Sequence, residues 1–286
     1  MKYVAWCVLR ALWIVLMGWL LAAACSSAGS APGASGSGAL ERVTQAGVLR
    51  AGIRFDFPPV SFIDAGGNWI GFDVDIAEEI ARRLGVRLEK VKVDETTRIT
   101  FLQSGQIDLA VASMNHTRKR EDAVDFSQTY FWGNQTFLVQ KGKYERLEDL
   151  FGETVAMNKG SSAIDGWKKW AELHGGQAGQ IVEFGDKQEG LQALKSGAVE
   201  GYGEDNVPLL GLAAGDPNLA LLPGGFNSVR YGIGVPENDS DWRDAINLIL
   251  QDMIADGTYQ TIYDRWFGSN TSTPWPLAPD APELWP

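Results

Sequence analysis

The stretch Leu102-Gln103-Ser104-Gly105-Gln106-Ile107-Asp108 returns 92 positions later as Leu194-Lys195-Ser196-Gly197-Ala198-Val199-Glu200. In each copy a helix end meets a glycine able to take the left-handed cap, and a strand follows. Two copies predict two lobes of related design. Outward from the first copy, Thr100 to Ser104 reads as a short helix stopped by Gly105, and Ile107 to Ala112 as a strand. Upstream, Val48 to Ile53 is a short apolar strand. Asp73 to Leu84 carries Val74, Ile76, Ala77, Ile80, Ala81 and Leu84 at helical spacing, with Gly85 as its stop. Val86 to Val93 alternates as a half-buried strand. Strands separated by single helices predict parallel βαβ units, hence an α/β fold.

The N-terminus sets the compartment. Lys2 and Arg10 precede an apolar run, Ala11 to Leu21, too short to span a membrane and followed by Ala22, Ala23 and Ala24. This pattern predicts a cleaved export signal over residues 1–24. Leu21-Ala22-Ala23-Ala24-Cys25 resembles the lipobox of bacterial lipoproteins, which implies acylation of Cys25; the alternative is ordinary secretion with an incidental cysteine. Ser26 to Gly38 is almost wholly Ser, Gly, Ala and Pro, and the expected tether runs over 25–46. Each buried lipid CH₂ adds roughly 0.8 kcal/mol, so an acylated cysteine would hold the folded part close to a membrane.

Removing residues 1–24 takes Cys7, Lys2 and Arg10, so the formal net charge moves from −11 to −13. Such acidity argues against a nucleic-acid partner. With Cys25 acylated, no thiol would remain for a disulfide, a metal or a nucleophile. His116 and His174 stand far apart. Neither a metal site nor a cofactor is expected.

The chain resembles the amino-acid-binding branch (family 3) of the extracellular solute-binding proteins of ABC transporters, over roughly 47–268. The matching segments run in order from Pro58-Pro59-Val60-Ser61-Phe62 through Gly71-Phe72-Asp73-Val74-Asp75-Ile76-Ala77 to Leu102 to Leu109. Thr117-Arg118-Lys119-Arg120, Val124-Asp125-Phe126-Ser127 and Val155 to Ser162 continue the match. Asp256-Gly257-Thr258-Tyr259 and Trp266-Phe267-Gly268 close it. The resemblance implies a two-lobed type II periplasmic-binding-protein fold, each lobe a mixed sheet flanked by helices. Lobe 1 would be 47–137 plus 232–268 and lobe 2 would be 138–231. Hinge strands would fall near Gln135 to Val139 and Ser228 to Gly232, and a Pro/Trp-rich tail over 269–286 would pack on a lobe surface.

An amino acid held between lobes presents a carboxylate and an ammonium, and buried charge needs a partner. A planar bidentate cation suits the carboxylate, and the resemblance puts Arg120 in that role, ahead of Arg118 and Lys119. By resemblance, backbone groups of Ser113 and Asn115 complete the shell, although the family often has Thr or Ser where Asn115 stands. Asp205 is the candidate for the ammonium, with Glu204 as the alternative. Ser161 and Ser162 resemble a lobe-2 turn that meets the carboxylate at a helix N-terminus, or are simply an N-cap pair. In the family's acidic-amino-acid binders, cations near Arg54 and Arg98 pair with a second carboxylate; here either arginine could instead be bridged to Asp56 or Glu95. Phe57 is a candidate wall or a core aromatic. The expectation is a membrane-anchored, monomeric, non-enzymatic receptor for glutamate or aspartate, with glutamine or asparagine as the alternative, closing on its ligand and docking on permease subunits. The rivals are a cyclohexadienyl-dehydratase-like enzyme, with Glu204 as general acid, and a sensor serving a separate signalling partner.

Overall fold

The computed structural model describes residues 38–277. The export signal, Cys25 and residues 278–286 lie outside the described residues. Helix α1 (Ala39–Ala46) opens the fold, ended by Gly47 in the left-handed conformation. Residues 39–46, expected within the tether, are thus part of the folded body. Ala39 and Val43 are four apart and both buried, and the Ala39 N–H donates to Asp239 Oδ2 at 2.6 Å. A short apolar stripe with a capped first turn is enough to dock a helix that composition alone assigns to a linker.

The strands follow as β1 (Val48–Arg54), β2 (Asp56–Phe57), β3 (Ser61–Ile63), β4 (Trp69–Ile70), β5 (Arg87–Val93), β6 (Leu109–Ala110) and β7 (Asp125–Gln140). Then come β8 (Val155–Asn158), β9 (Ile181–Phe184), β10 (Gly201–Asp205), β11 (Leu219–Leu221) and β12 (Asn227–Val235). The main sheet has the order β5-β1-β6-β12-β7-β10-β8-β9, with β11 also on β7. It is nearly a palindrome. On one side β1 pairs in parallel with β5 and β6; on the other β8 pairs in parallel with β9 and β10. Between them runs the antiparallel pair β7–β12, from Asn227 opposite Gln135 to Val235 opposite Asp125. Ser228 to Gly232 lies in that pair, whereas of Gln135 to Val139 only Gln135 pairs with β12, the rest pairing with β10 and β11. The architecture is the two-lobed mixed α/β arrangement of type II periplasmic binding proteins.

The repeated heptad explains the palindrome. Gly105 (φ 69°) and Gly197 (φ 76°) both adopt the left-handed cap. Gln106 N–H donates to Phe101 O, and Ala198 N–H to Ala193 O, both at 2.9 Å. The last residue of each copy then enters its sheet, Asp108 N–H donating to Arg50 O and Glu200 N–H to Thr154 O, each at 2.8 Å. The first copy departs from expectation in length: its strand is only Leu109–Ala110, because the chain is drawn off the ladder toward Ser113.

Each half has its own aromatic core. Phe72 lies 6.0 Å from Tyr130 and 5.1 Å from Phe267, ring to ring. Phe137 lies 4.8 Å from Trp167 and 5.0 Å from Phe226. Burying one such ring contributes about 1.5–3 kcal/mol. In the described part of the tail, Trp275 N–H donates to Phe267 O at 2.9 Å and its indole Nε1–H to Trp132 O at 3.0 Å. No helix among the described residues is long and apolar enough to cross a membrane.

Candidate functional site

Where the two halves meet the β7–β12 pair, one small cavity is lined by Arg54, Arg98, Ser113, Asn115, Arg120, Ser161, Ser162 and Asp205, with Glu95, Gln135 and Glu204. Eight of the nine candidate residues read from the sequence therefore converge. Phe57 lines the neighbouring cavity instead.

The first half supplies the loop 111–117 and the short helix α4 (Arg118–Glu121). Asp73, at the start of helix α2 (Phe72–Leu84), accepts from the Ser113 N–H at 2.7 Å and Ser113 Oγ–H at 3.0 Å, and from the Tyr130 hydroxyl at 2.8 Å. These bonds hold Ser113 at φ 50°, a conformation a non-glycine residue needs help to keep. With its N–H and hydroxyl committed to Asp73, Ser113 offers the cavity no donor from either. Burial pushes the Asp73 carboxyl up to about 6. Asn115 bridges both halves: its Nδ2 donates to Ser162 Oγ and to Ser228 O, both at 3.2 Å, and its Oδ1 accepts from Arg230 N–H at 2.9 Å.

Of the basic trio 118–120, only Arg120 is buried. Its guanidinium donates to Asn115 O at 2.7 Å and, across the cleft, to Gly160 O at 3.1 Å. Arg98 opens helix α3 (Arg98–Gln103) and donates to Ala112 O at 2.6 Å and Ser113 O at 3.3 Å, while its Nε makes no hydrogen bond. Neither arginine has a carboxylate within salt-bridge distance among the described residues. Burial, reinforced by Arg98, pulls Arg120 down to about 9, and burial also lowers Arg98.

Arg54 differs. It donates to Asp56 at 3.0 Å and to Glu95, and its guanidinium carbon stands 4.3 Å from the Phe57 ring centroid. The acids compensate for its complete burial, so Arg54 is not available as a free partner for a second carboxylate. Burial alone would raise Glu95, but the charges of Arg54, Lys187 and Arg98 outweigh it and bring that carboxyl to about 2.

The second half brings acids. Asp205 ends β10; Gln135 Nε2–H donates to its Oδ1 at 2.8 Å and the Tyr231 hydroxyl donates to its Oδ2. Burial nonetheless raises its carboxyl. Glu204 accepts from Asn158 Nδ2 at 2.7 Å and faces Lys187 Nζ at 3.4 Å, and burial pushes it up to about 6. Gly203, between the strand's packed neighbours, has no room for a Cβ, which would come within 2.7 Å of Phe137. Ser161 Oγ accepts from Ala163 N–H at 3.2 Å at the start of helix α5 (Ala163–Leu173). Ser162 Oγ accepts from Asn115 and, at 3.1 Å, from Gln135. One serine serves the helix and the other faces the cleft.

Glu95 was reached only as a possible ion-pair partner, and Gln135, Asn158, Lys187 and Tyr231 escaped the sequence reading as site residues. Gln135 and Tyr231 could have been reached from the expected hinge strands, since residues there alternate between faces. Lys187 reads from sequence as a solvated first-turn charge. His116 is spoken for by Glu121 and the Phe126 ring, and His174 by Trp170. Chemically, the cavity offers two buried guanidinium groups for an anion and one buried carboxylate for a cation.

Residues 49–269 match the description "Bacterial extracellular solute-binding proteins, family 3". The ABC transporter glutamine-binding protein GlnH of Bacillus subtilis (strain 168) is 36% identical over 207 residues, covering 71% of this chain and 74% of that one. An ancestral arginine-binding protein bound to glutamine superposes with a TM-score of 0.72 at 37% identity, over 78% of this chain and 99% of that one. An ancestral amino-acid-binding protein, a precursor of cyclohexadienyl dehydratase, also gives 0.72, at 28% identity over 80% and 99%. With the fold, the cleft and these likenesses in agreement, the chain belongs to the family 3 bacterial extracellular solute-binding proteins.

Proposed function

We propose that this chain is the substrate-binding component of an ABC amino-acid importer and that its ligand is glutamate or aspartate. The observation that carries the reading is the pairing of buried charge. Arg54 has Glu95 and Asp56, and Lys187 has Glu204. Left over among the residues that line the cavity are two cations, Arg98 and Arg120, and one carboxylate, Asp205, held only by neutral donors. An acidic amino acid brings two carboxylates and one ammonium, the complement of that remainder. Unpaired buried ions cost several kcal/mol each, so such a guest relieves the site where a neutral side chain relieves only part of it. Arg120 and Asp205 lie on opposite sides of the cleft, and a ligand joining them selects the closed form.

Lipid anchoring at Cys25, a monomeric state and docking on permease subunits belong to the same reading, supported by the N-terminal pattern and by the transporter relatives. Glutamine is the second ligand reading, favoured by the Bacillus relative and by the glutamine-bound ancestral protein. The reading excludes catalysis: Glu204, the candidate general acid, is occupied by Asn158 and Lys187, and incubation with prephenate or arogenate should leave both unchanged.

Calorimetry and thermal shift across the amino acids test the assignment. Glutamate or aspartate should stabilise the protein by about 2.7 kcal/mol at a hundred times its Kd. Glutamine binding tenfold tighter than glutamate would replace the acidic assignment, and no response to any amino acid would remove the transport reading itself.

A further inference from the structure

Beyond the main cavity lies a second, narrow one, walled by Phe57, Leu191, Tyr202, Pro208 and Leu212. Glu204 is the single residue that lines both. The second compartment is apolar except at Asp56, Gln188, Glu204 and Lys187. Lys187 opens helix α6 (Lys187–Ser196) and is 8% exposed; its Nζ makes no hydrogen bond. It stands 3.0 Å from the Phe57 ring centroid and 3.4 Å from Glu204 Oε2. An apolar pocket ending in a buried ammonium that faces Glu204 but has spent none of its N–H donors on a hydrogen bond suits an apolar group that terminates in a carboxylate. The doorway suits an amide: Asn158 and Lys187 take Glu204 Oε2, but Oε1, which accepts the Asp205 N–H at 3.0 Å, has a lone pair left for an amide N–H, and the unpartnered Arg98 Nε can donate to the carbonyl. With Arg120 and Asp205 holding the α-groups, the side chain of a bound amino acid is left facing Glu204.

We propose that the compartment behind Glu204 is an extension subsite, and that the receptor takes γ-glutamyl amino acids as well as free glutamate. The inference rests on the proposed function for the main cavity and extends it. The γ-carbonyl lies on Arg98, the amide N–H on Glu204, the second residue's side chain among Phe57, Leu191 and Leu212, and the terminal carboxylate on Lys187.

The test is calorimetry on the full-length chain with L-glutamate, L-glutamine, γ-L-glutamyl-L-alanine and, as a control, α-L-glutamyl-L-alanine. The γ-linked dipeptide should bind within about tenfold of glutamate, and the α-linked isomer at least about a hundredfold more weakly, because its α-carboxylate is blocked. Lys187→Met should weaken the γ-linked dipeptide at least about tenfold more than it weakens glutamate, the loss of one charge-assisted bond. Leu212→Trp, which fills the compartment, should remove dipeptide binding and keep glutamate binding, so the proposal stays testable if Lys187→Met does not fold. Glutamate or glutamine binding with no γ-glutamyl binding overturns the subsite and leaves the proposed function standing. Dipeptide binding that ignores both substitutions also overturns it. Dipeptide binding without glutamate binding keeps the subsite and sinks the acidic-ligand reading, whereas no binding of any probe sinks both.

Discussion

The two halves of this molecule use the same local grammar for opposite charge. Each contains a helix stopped by a left-handed glycine, Gly105 or Gly197, and a strand that joins a parallel ladder. After that point they diverge. The first half goes on through Ser113 to Arg120 and presents guanidinium groups; the second ends at Glu204 and Asp205 and presents carboxylates. A palindromic scaffold thus makes a polar cleft by differing in a few residues just past the repeat. The lesson is that the repeat builds the walls, and the departures from it set what the walls attract.

The largest test of that contrast is Arg120→Ala. Truncating one member of a buried, hydrogen-bonded charge pair costs about 2–5 kcal/mol, so Kd for every amino acid should rise about 10²–10³-fold by calorimetry. An unchanged Kd would mean the cationic wall lies elsewhere. Arg98→Met comes next and sharpens the ligand: glutamate should lose about tenfold to a hundredfold while glutamine changes little. Equal losses for both would make Arg98 a scaffold residue.

Glu204→Gln probes the acidic wall through pH. The folded carboxyl sits at about 6 against an ordinary 4.5. Between those values the folded state therefore binds more protons than the unfolded state, and stability falls as pH rises through the window. Urea unfolding at pH 4.5 and 7 should show the variant declining less than the wild type, by about 1–2 kcal/mol. An identical decline in both would refute the burial of that charge. The smallest expected effect is that of Asn115→Ala, which removes the neutral link from the first half to Ser162. Ligand affinity should drop about threefold to fivefold, in keeping with about 1 kcal/mol for neutral bonds.

Much of the scaffold was legible in the sequence because helix caps and apolar periodicity are local. Gly85, Gly105 and Gly197 mark real helix ends, and Gln135 to Val139 lies on β7. Helix α1 was missed because Ser/Gly-rich composition just before it outweighed two apolar residues at the right spacing. In the site, Arg120 and Asp205 were within reach because the resemblance and strand-end logic point at them. The fate of Arg54 was left open between a ligand role and an ion pair, and the fold decides it: Glu95 lies 41 positions away and meets Arg54 only because β1 and β5 run side by side. Lys187 was invisible for a related reason, since its burial depends on Phe57, which belongs to the other half.

Two tyrosines on the central ribbon have a mechanical consequence. Tyr130 on β7 grips Asp73, which fixes Ser113 in the first wall, and Tyr231 on β12 grips Asp205 in the second. The ribbon is therefore geared to both walls through phenol–carboxylate bonds, and any twist in it re-aims the guanidinium side and the carboxylate side together. A receptor built this way cannot loosen one jaw while the other stays set.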